Sequence, residues 1–465
     1  MNRAVSCLFV LALAGCGGTA EAPKPVTPTQ PMLVINQPDS QALPPPDAPP
    51  VVDGDVTTAT VSGILVIVKK IPGAAFAGGQ LYIRGGARNW TAANAGIEQM
   101  AVGVSATGGT KSLDKTAFSR KLGSLGANVW GDARSDFSLF GMTTPVGAWN
   151  DTFALLADAF RNPALPESEV ELSRTQALAQ LHHEQEDPDG QLWTLERKQI
   201  FAGHPYANRA IGTIESVTAL KHEDLAPYLD KLRETSRLVF VAAGDVDAAH
   251  VFAQVKSAFG SLPRGSYVDT PMPALSFAKS QLTIEERKLP TNYIESAFVA
   301  PRQSDPDYVA GLVAMDGLSW RFWQEIRTKR NMTYAVSAGS YTNFAYPLGM
   351  LYVTAVDPNG TMKVMLDEVK RLRDEPMGDL ELAGFKSSFL TSYLERYETP
   401  DGQASALADG QLYTGDWRLA RGIPDRVRAV TAADIQAFAK KYIVHLQAAV
   451  VGDKSKIDAT LFTSL

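Results

Sequence analysis

Apolar positions along this chain follow two rhythms separated by polar punctuation, and both begin only after about residue 57. ATVSGILVIVKK (59–70) and GGQLYIRGG (78–86) are β-branched runs bounded by Gly and Pro, which predict paired strands. A helix is expected from Asn94, then an alternating strand pair in ANVWGDARSDFSLFGM, a helix in WNDTFALLADAFRN and a long helix from Ser168 to about Asp187 behind Pro166. The strand LVFVAAGDVD (238–247) and the helix HVFAQVKSAFGSL close a first unit. After the Pro-punctuated stretch 264–280 a similar order returns: strands around 281–299, then the helix DYVAGLVAMDGL running into WRFWQEIRTKR. Strands YAVSAGSYTN and LGMLYVTAVD, two helices up to Glu398, a final helix and AAVVGDKSKI complete it. VAAGDVD (241–247) is echoed by AVVGDKS (449–455), which suggests an internal duplication. Strands and helices mix without βαβ regularity, so the fold class predicted is α+β, with two similar domains of mixed or antiparallel sheet covered by helices. The boundaries expected are 57–265 and 281–465, joined by a linker at 266–280.

At 465 residues the chain has room for two such domains. A formal charge of −6 and a pI near 5.6 argue against nucleic acid as a partner, because phosphate binding needs a basic footprint. The first residues, MNRAVSCLFVLALAGCGG, have one Arg and an apolar core too short to span a bilayer, the anatomy of a secretory signal covering residues 1–15. Leu13-Ala14-Gly15-Cys16 resembles a lipobox, which implies cleavage before Cys16, lipid on its thiol and a place in the cell envelope. Gly17 stands where an Asp often signals inner-membrane retention, so the periplasmic face of the outer membrane is the expected location. Cys7 falls in the removed segment, which leaves Cys16 as the sole cysteine and no disulfide. Residues 16–56 carry ten prolines between Pro23 and Pro50 and almost no aromatic residues, and are expected to form an unfolded tether. In polyproline form it would reach roughly 100 Å.

Several stretches, taken in order, resemble the insulinase/pitrilysin family of zinc metallopeptidases, in the two-domain subgroup that includes mitochondrial processing peptidase. YIRGGARNW is similar to the strand and turn before the family's zinc helix, LGSLGANVW to its edge-strand motif and NPALPESEVELSR to the entry of its third-ligand helix. HPYANRAIGTIESVTALKHEDLAPYLDK resembles the close of the first domain, and SWRFWQEIRTKRNMTYAV the helix-loop-strand signature of the second. The resemblance runs from about residue 59 to the C-terminus and implies a half-clamshell of metalloprotease-like type. The family's zinc sits on His-x-x-Glu-His, two imidazoles one turn apart with a Glu that activates water, plus a distant Glu. Laid on that motif, AGIEQMAVGV (95–104) puts Gln99 and Gly103 at the histidines and Val102 at the glutamate. The third ligand, 76 intervening residues on, falls at Gln180 in ALAQLHHEQEDP. Ile97, Met100, Ala101 and Val104 keep the stripe that packs the helix, so its fold role survives while its chemical face does not. Gly103 has no donor atom, Val102 cannot take a proton and neutral amides are poor zinc ligands, so no metal or other cofactor is expected in this chain. His182, His183, Glu184 and Glu186 are expected on a solvated helix face, because adjacent positions point about 100° apart on a helix. His204 is expected to serve a structural turn, and Trp320, Phe322 and Trp323 to lie in the core.

Family members built from two chains take zinc from one and an Arg/Tyr pair from the other. That pair matches KRNMTY here, giving Arg330 and Tyr334: a cationic donor fork and a hydroxyl able to polarise a carbonyl or hold a peptide. The resemblance therefore implies a pseudo-enzyme, the zinc-free subunit of a heterodimer that binds peptide or unfolded protein while a partner chain supplies zinc and catalysis. Two other readings stay open: a scaffold lipoprotein using the fold without catalysis, and a peptidase with unusual ligands.

Overall fold

The structure, a computed structural model, describes residue 45 and residues 47–465. The expected signal peptide, Cys16 and most of the tether lie outside the described residues. In the first half, strands β1 (Ala48–Asp53), β2 (Val56–Val61), β3 (Ile64–Lys70) and β4 (Phe76–Arg84) precede helices α1 (Ile97–Thr107) and α2 (Lys115–Leu125). Strands β5 (Asn128–Ala133) and β6 (Phe137–Pro145) lead to α3 (Trp149–Arg161), α4 (Glu167–Glu186), α5 (Pro188–Ile200), α6 (Ile214–Ala219) and α7 (His222–Leu232). Strand β7 (Leu238–Gly244) and α8 (Ala248–Phe259) finish it. The second half runs β8 (Gln281–Glu286), β9 (Asn292–Val299), α9 (Tyr308–Phe322), β10 (Val336–Tyr341), β11 (Leu348–Ala355), α10 (Pro358–Asp374) and α11 (Asp379–Arg396). It continues through α12 (Pro400–Thr414), α13 (Arg418–Ala429), α14 (Ala432–Tyr442), β12 (Gln447–Gly452) and α15 (Ala459–Phe462).

The first sheet has the order β1-β2-β3-β7-β4-β6-β5 and the second β10-β11-β9-β12-β8. β3 runs parallel to β7 and β8 parallel to β12; the neighbours β4, β6 and β5 on one side, and β9, β11 and β10 on the other, are antiparallel throughout. The two sheets thus repeat one topology, and the echoed Gly-Asp strands β7 and β12 occupy the same place in each. The period-two alternation explains why both are apolar along their whole length. Leu238, Phe240 and Ala242 enter the core beneath α1, α3 and α8, while Val239, Val241 and Ala243 face the other way, onto Ala404, Leu407, Ala408 and Trp417. In β12, Ala448 and Val450 face α9, α10 and α14, while Ala449 and Val451 meet Leu192.

Each half therefore lends a helix to the other's sheet: α12 covers β4 and β7, and α5 covers β9 and β12. The described residues accordingly group as one unit. The stretch expected as a linker, 266–280, has no regular structure, but its Met272 is buried beside Trp90, Phe201, Tyr206 and Phe344.

The tether expected to run unfolded to residue 56 is shorter than that, because Ala48–Asp53 form the outermost strand of the first sheet and Val56 opens the next. Pro49 and Pro50 are tolerated there since an edge strand has one side with no ladder bond to lose. Two guanidiniums fasten its end: Arg418 donates to Asp53 at 2.7 Å, and Arg421 donates to Asp53 Oδ1 at 2.9 Å and to Asp55 at 3.2 Å.

Candidate functional site

The zinc-helix equivalent, α1, begins after Gly96, whose φ of 98° lies in the left-handed region that favours glycine. Ile97, Met100, Ala101 and Val104 are all buried, as the stripe predicts. Glu98, also buried, pins the helix: Trp90 Nε1 donates to it at 2.9 Å, Tyr228 Oη at 2.6 Å, and Ser138 Oγ donates to its other oxygen. Next to it, Gln99 Oε1 accepts the backbone N–H of Ala133 at 2.8 Å and so occupies a donor at the end of the edge strand β5.

Gln99 and Gln180 line one cavity of about 640 Å³ between α1, α4, α5 and the end of β10. The two positions aligned to ligands are therefore brought together, but as amides. Gln180 Nε2 spends its donor on Glu184 one turn along α4, at 3.2 Å. Val102 is wholly buried against Gly131 of β5. At Gly103 a side chain would find room, the nearest atom to a Cβ being Gln99 Nε2 at 4.0 Å. Two amides, a hydrocarbon and a hydrogen do not fit the donor set of Zn²⁺. No group of three or more His, Cys, Asp or Glu side chains is placed to hold a metal among the described residues. His182 and His183 are exposed, and Glu184 pairs with Arg209 at 2.7 Å.

The rest of the cavity wall was not read from the sequence. Helix α5 presents Trp193, Glu196 and Arg197, spaced i, i+3 and i+4, and the loop after it presents Arg209. Glu196 faces Glu295 of β9; burial and that second carboxylate push its carboxyl well above the usual range, so it holds the proton of the pair. Tyr341 Oη donates to Glu295 at 2.9 Å. Arg197 stacks over Trp193 at 4.6 Å and over Phe201 at 4.9 Å, and burial together with neighbouring Arg209 pulls its pKa down to about 10. The signal that could have found them is Trp and two charges at helical spacing in WTLER (193–197), directly after the third-ligand helix.

His204 serves the turn expected of it. Its Nδ1 accepts from Tyr206 N at 3.2 Å, which leaves Nε2 to donate to Pro273 O at 3.0 Å. Tyr206 Oη and Arg88 both donate to the buried Asp136, and the backbone of Ala345 in the second half donates to the same carboxylate at 2.9 Å.

Arg330 and Tyr334 lie elsewhere. Helix α9 passes into a π-turn, Trp323–Thr328, a form frequent at functional sites. Arg330 Nη1 donates back to Glu325 O at 2.7 Å and to its carboxylate at 2.5 Å. Tyr334 is 79% exposed, with Arg327 stacked over its ring at 4.0 Å. Trp320 and Trp323, expected in the core, are 52% and 41% exposed; only Phe322 is buried. Helix α9 is packed by β10, α10, α11, α13 and α14; Trp320 sets one edge against the Phe385 ring of α11, with centroids 6.3 Å apart, and leaves the rest of its surface open. Tyr334 precedes β10 while Tyr341 at its far end lines the cavity, seven residues or roughly 23 Å away along an extended strand.

The architecture is that of a duplicated α+β peptidase-type fold whose metal face has lost its ligands. Residues 65–214 match the family Insulinase (peptidase family M16), and residues 219–389 match the peptidase M16 inactive domain. The chain belongs to the insulinase, or M16 peptidase, family. It is 25% identical over 324 residues to the non-peptidase homolog YmxG of Helicobacter pylori, covering 66% of this chain and 73% of that protein. It is 27% identical over 209 residues to cytochrome b-c1 complex subunit 1 of Bos taurus, covering 44% of this chain and 43% of that one. Its fold matches the crystal structure of a peptidase M16 inactive domain from Pseudomonas fluorescens with a TM-score of 0.78 at 19% identity, covering 86% of this chain and 98% of the other.

Proposed function

We propose that this chain is the non-catalytic subunit of a two-chain insulinase-family peptidase, binding peptide or unfolded protein through Arg330 and Tyr334 while a partner chain supplies zinc. The observation that carries this reading is the placement of the pair. Tyr334 is a surface group near exposed Trp320 and Trp323, about 23 Å along the extended chain from the residue that lines this chain's own cavity, and Arg330, held by Glu325, is a second surface group four residues before it. Arg330 offers a fork to a carbonyl or carboxylate, and Tyr334 a hydroxyl whose ring is already oriented by Arg327. The similarity to a non-peptidase homolog and to a subunit of a respiratory complex supports a member that works without its own metal. In this reading Cys16 carries lipid and the tether holds the body at the periplasmic face of the outer membrane.

The test is the peptidase activity that co-purifies with the full chain, assayed on an unfolded fluorogenic peptide. Arg330→Ala should lower kcat/KM by about 100-fold and Tyr334→Phe by about tenfold, with the complex intact on gel filtration. Unchanged turnover in both would leave the scaffold reading, which the similarity to the bovine complex subunit favours. Zinc loading of the purified chain should leave well under a tenth of an equivalent after desalting; a stoichiometric zinc would overturn the assignment.

A further inference from the structure

The cavity that holds Gln99 and Gln180 is roomy and carries cationic groups on its wall. Three guanidiniums reach its wall: Arg134, Arg197 and Arg209. Arg134 is paired with Asp132 at 3.0 Å and Arg209 with Glu184 at 2.7 Å. Arg197 has no such counterion among the described residues. Its Nη2 donates to the carbonyl of Tyr206 at 3.0 Å, and its Nε is buried with no acceptor. The neighbouring Glu196 does not neutralise it, since that side chain is occupied with Glu295, and its Oε1 is likewise buried without a partner. Trp193 lies under both Arg197, at 4.6 Å, and Arg209, at 5.1 Å, so the two cations share one aromatic ring and are held close to each other. A desolvated guanidinium with a free Nε–H, next to a second guanidinium, is a fork that lacks its acid. A buried cation without a counterion is costly, and the cavity, of a size found for roughly 300–1,000 Å³ ligand sites, is open to one from outside.

We infer that this cavity receives a carboxylate, from the free C-terminus or an acidic side chain of a peptide, clasped by Arg197 with Arg209 beside it. The inference rests on the peptide-binding reading above and deepens it: the cavity that holds the zinc-aligned positions Gln99 and Gln180 also holds a guanidinium pair. A peptide end entering between α1 and α5 would pass the amides of Gln99 and Gln180, which can hydrogen-bond its backbone. The ligand class follows from geometry, because a planar carboxylate matches the guanidinium edge and a neutral amide does not.

The experiment uses the full chain in detergent, without any partner, and three fluorescein-labelled octapeptides of Ala and Leu. One has a free C-terminal carboxylate, one is its C-terminal amide, and one is the amide with a single Glu near its end. The free acid should bind at least about tenfold tighter than the amide by fluorescence anisotropy. The Glu-bearing amide decides the source: binding like the free acid assigns side-chain carboxylates as well, and binding like the plain amide assigns the chain terminus. Arg197→Gln should abolish the preference and Arg209→Gln weaken it, while Lys198→Gln, which removes the same charge from the exposed side of α5, should leave it unchanged. Equal binding of acid and amide, no binding of either, or a preference that survives Arg197→Gln would overturn the inference. If Arg197→Gln does not fold by circular dichroism, competition in the wild-type chain replaces it: propionate should displace the free-acid peptide and propionamide should not, and equal competition would overturn the proposal. The partner assay on Arg330 reads a different surface, so either result can fail while the other stands.

Discussion

The two halves of the molecule have the same strand order and the same reciprocal helix, yet they treat the space beside their central helix differently. In the first half, α1 turns Gln99 toward a cavity of about 640 Å³ and has only a hydrogen at Gly103. In the second half, α9 turns Leu312, Met315 and Asp316, at the same i, i+3, i+4 spacing, toward a cavity of about 240 Å³ closed by Tyr308, Tyr393 and Tyr397. There Asp409 is pushed up to about 6 by burial. One scaffold thus supports a narrower cleft and a wider one. The first cleft takes its walls from α1, α4, α5 and the second-half loop after β10. What differs between the halves is side-chain volume on one helix face and the charge opposite it.

That comparison can be broken first at the exchanged helices. Leu192 of α5 and Leu407 of α12 are both buried against the other half's sheet, so Leu192→Ala and Leu407→Ala should each lower the stability of the full chain by about 2–5 kcal/mol in urea unfolding. A loss at one site alone would mean that the halves do not depend on each other equally. Gly317 of α9 comes next. A Cβ there would sit 1.9 Å from the Phe385 ring of α11, so Gly317→Ala should cost about 1–3 kcal/mol through overpacking.

Smaller is the effect of the carboxylate pair. Glu196 has a folded pKa raised above its value of 4.5 in the unfolded chain, so the folded state holds its proton longer. The stability it contributes is intact below pH 4.5 and declines as pH rises from there through the raised folded pKa. Glu196→Gln should therefore raise Tm by a few degrees at pH 8 and leave it near wild type at pH 4.5. A pH-independent difference would show that the pair does not titrate on unfolding. The smallest effect falls on the wider cleft itself. Gly103→Ala, with no atom nearer than 4.0 Å to the new Cβ, should stabilise by about 0.5–1 kcal/mol, opposite in sign to Gly317→Ala. Destabilisation at Gly103 would mean that the space beside α1 is needed for the fold.

β-branched runs bounded by Gly and Pro located β3 and β4, alternation located β5 and β6, and the Gly-Asp echo marked β7 and β12, the two strands that proved equivalent. The apolar stripe of α1 is buried in full, so the helix and its packing face could be read from ten residues. Helices α5 and α12 escaped because each packs one side on a sheet and turns the other to a cavity or a second helix, which leaves no single apolar face to set a period. Strand β1 escaped because its prolines argue for coil, and an edge position with two arginines behind it overrides them. Trp320 and Trp323 were expected inside because an aromatic cluster usually is; Trp320 instead sets only an edge on Phe385 and Trp323 opens the π-turn after α9, so both stay half exposed.

Composition and periodicity act between residues near in sequence, and those interactions determined the strands, the central helices and the duplication. Which face of each sheet the other half would cover, that Arg197 would line a cavity with no ion-pair partner among the described residues, and that Arg330 and Tyr334 would stand apart from that cavity were decided by tertiary contacts, many of them between segments hundreds of residues apart. No local pattern encodes such contacts, since their energy exists only once the two sheets have exchanged their helices.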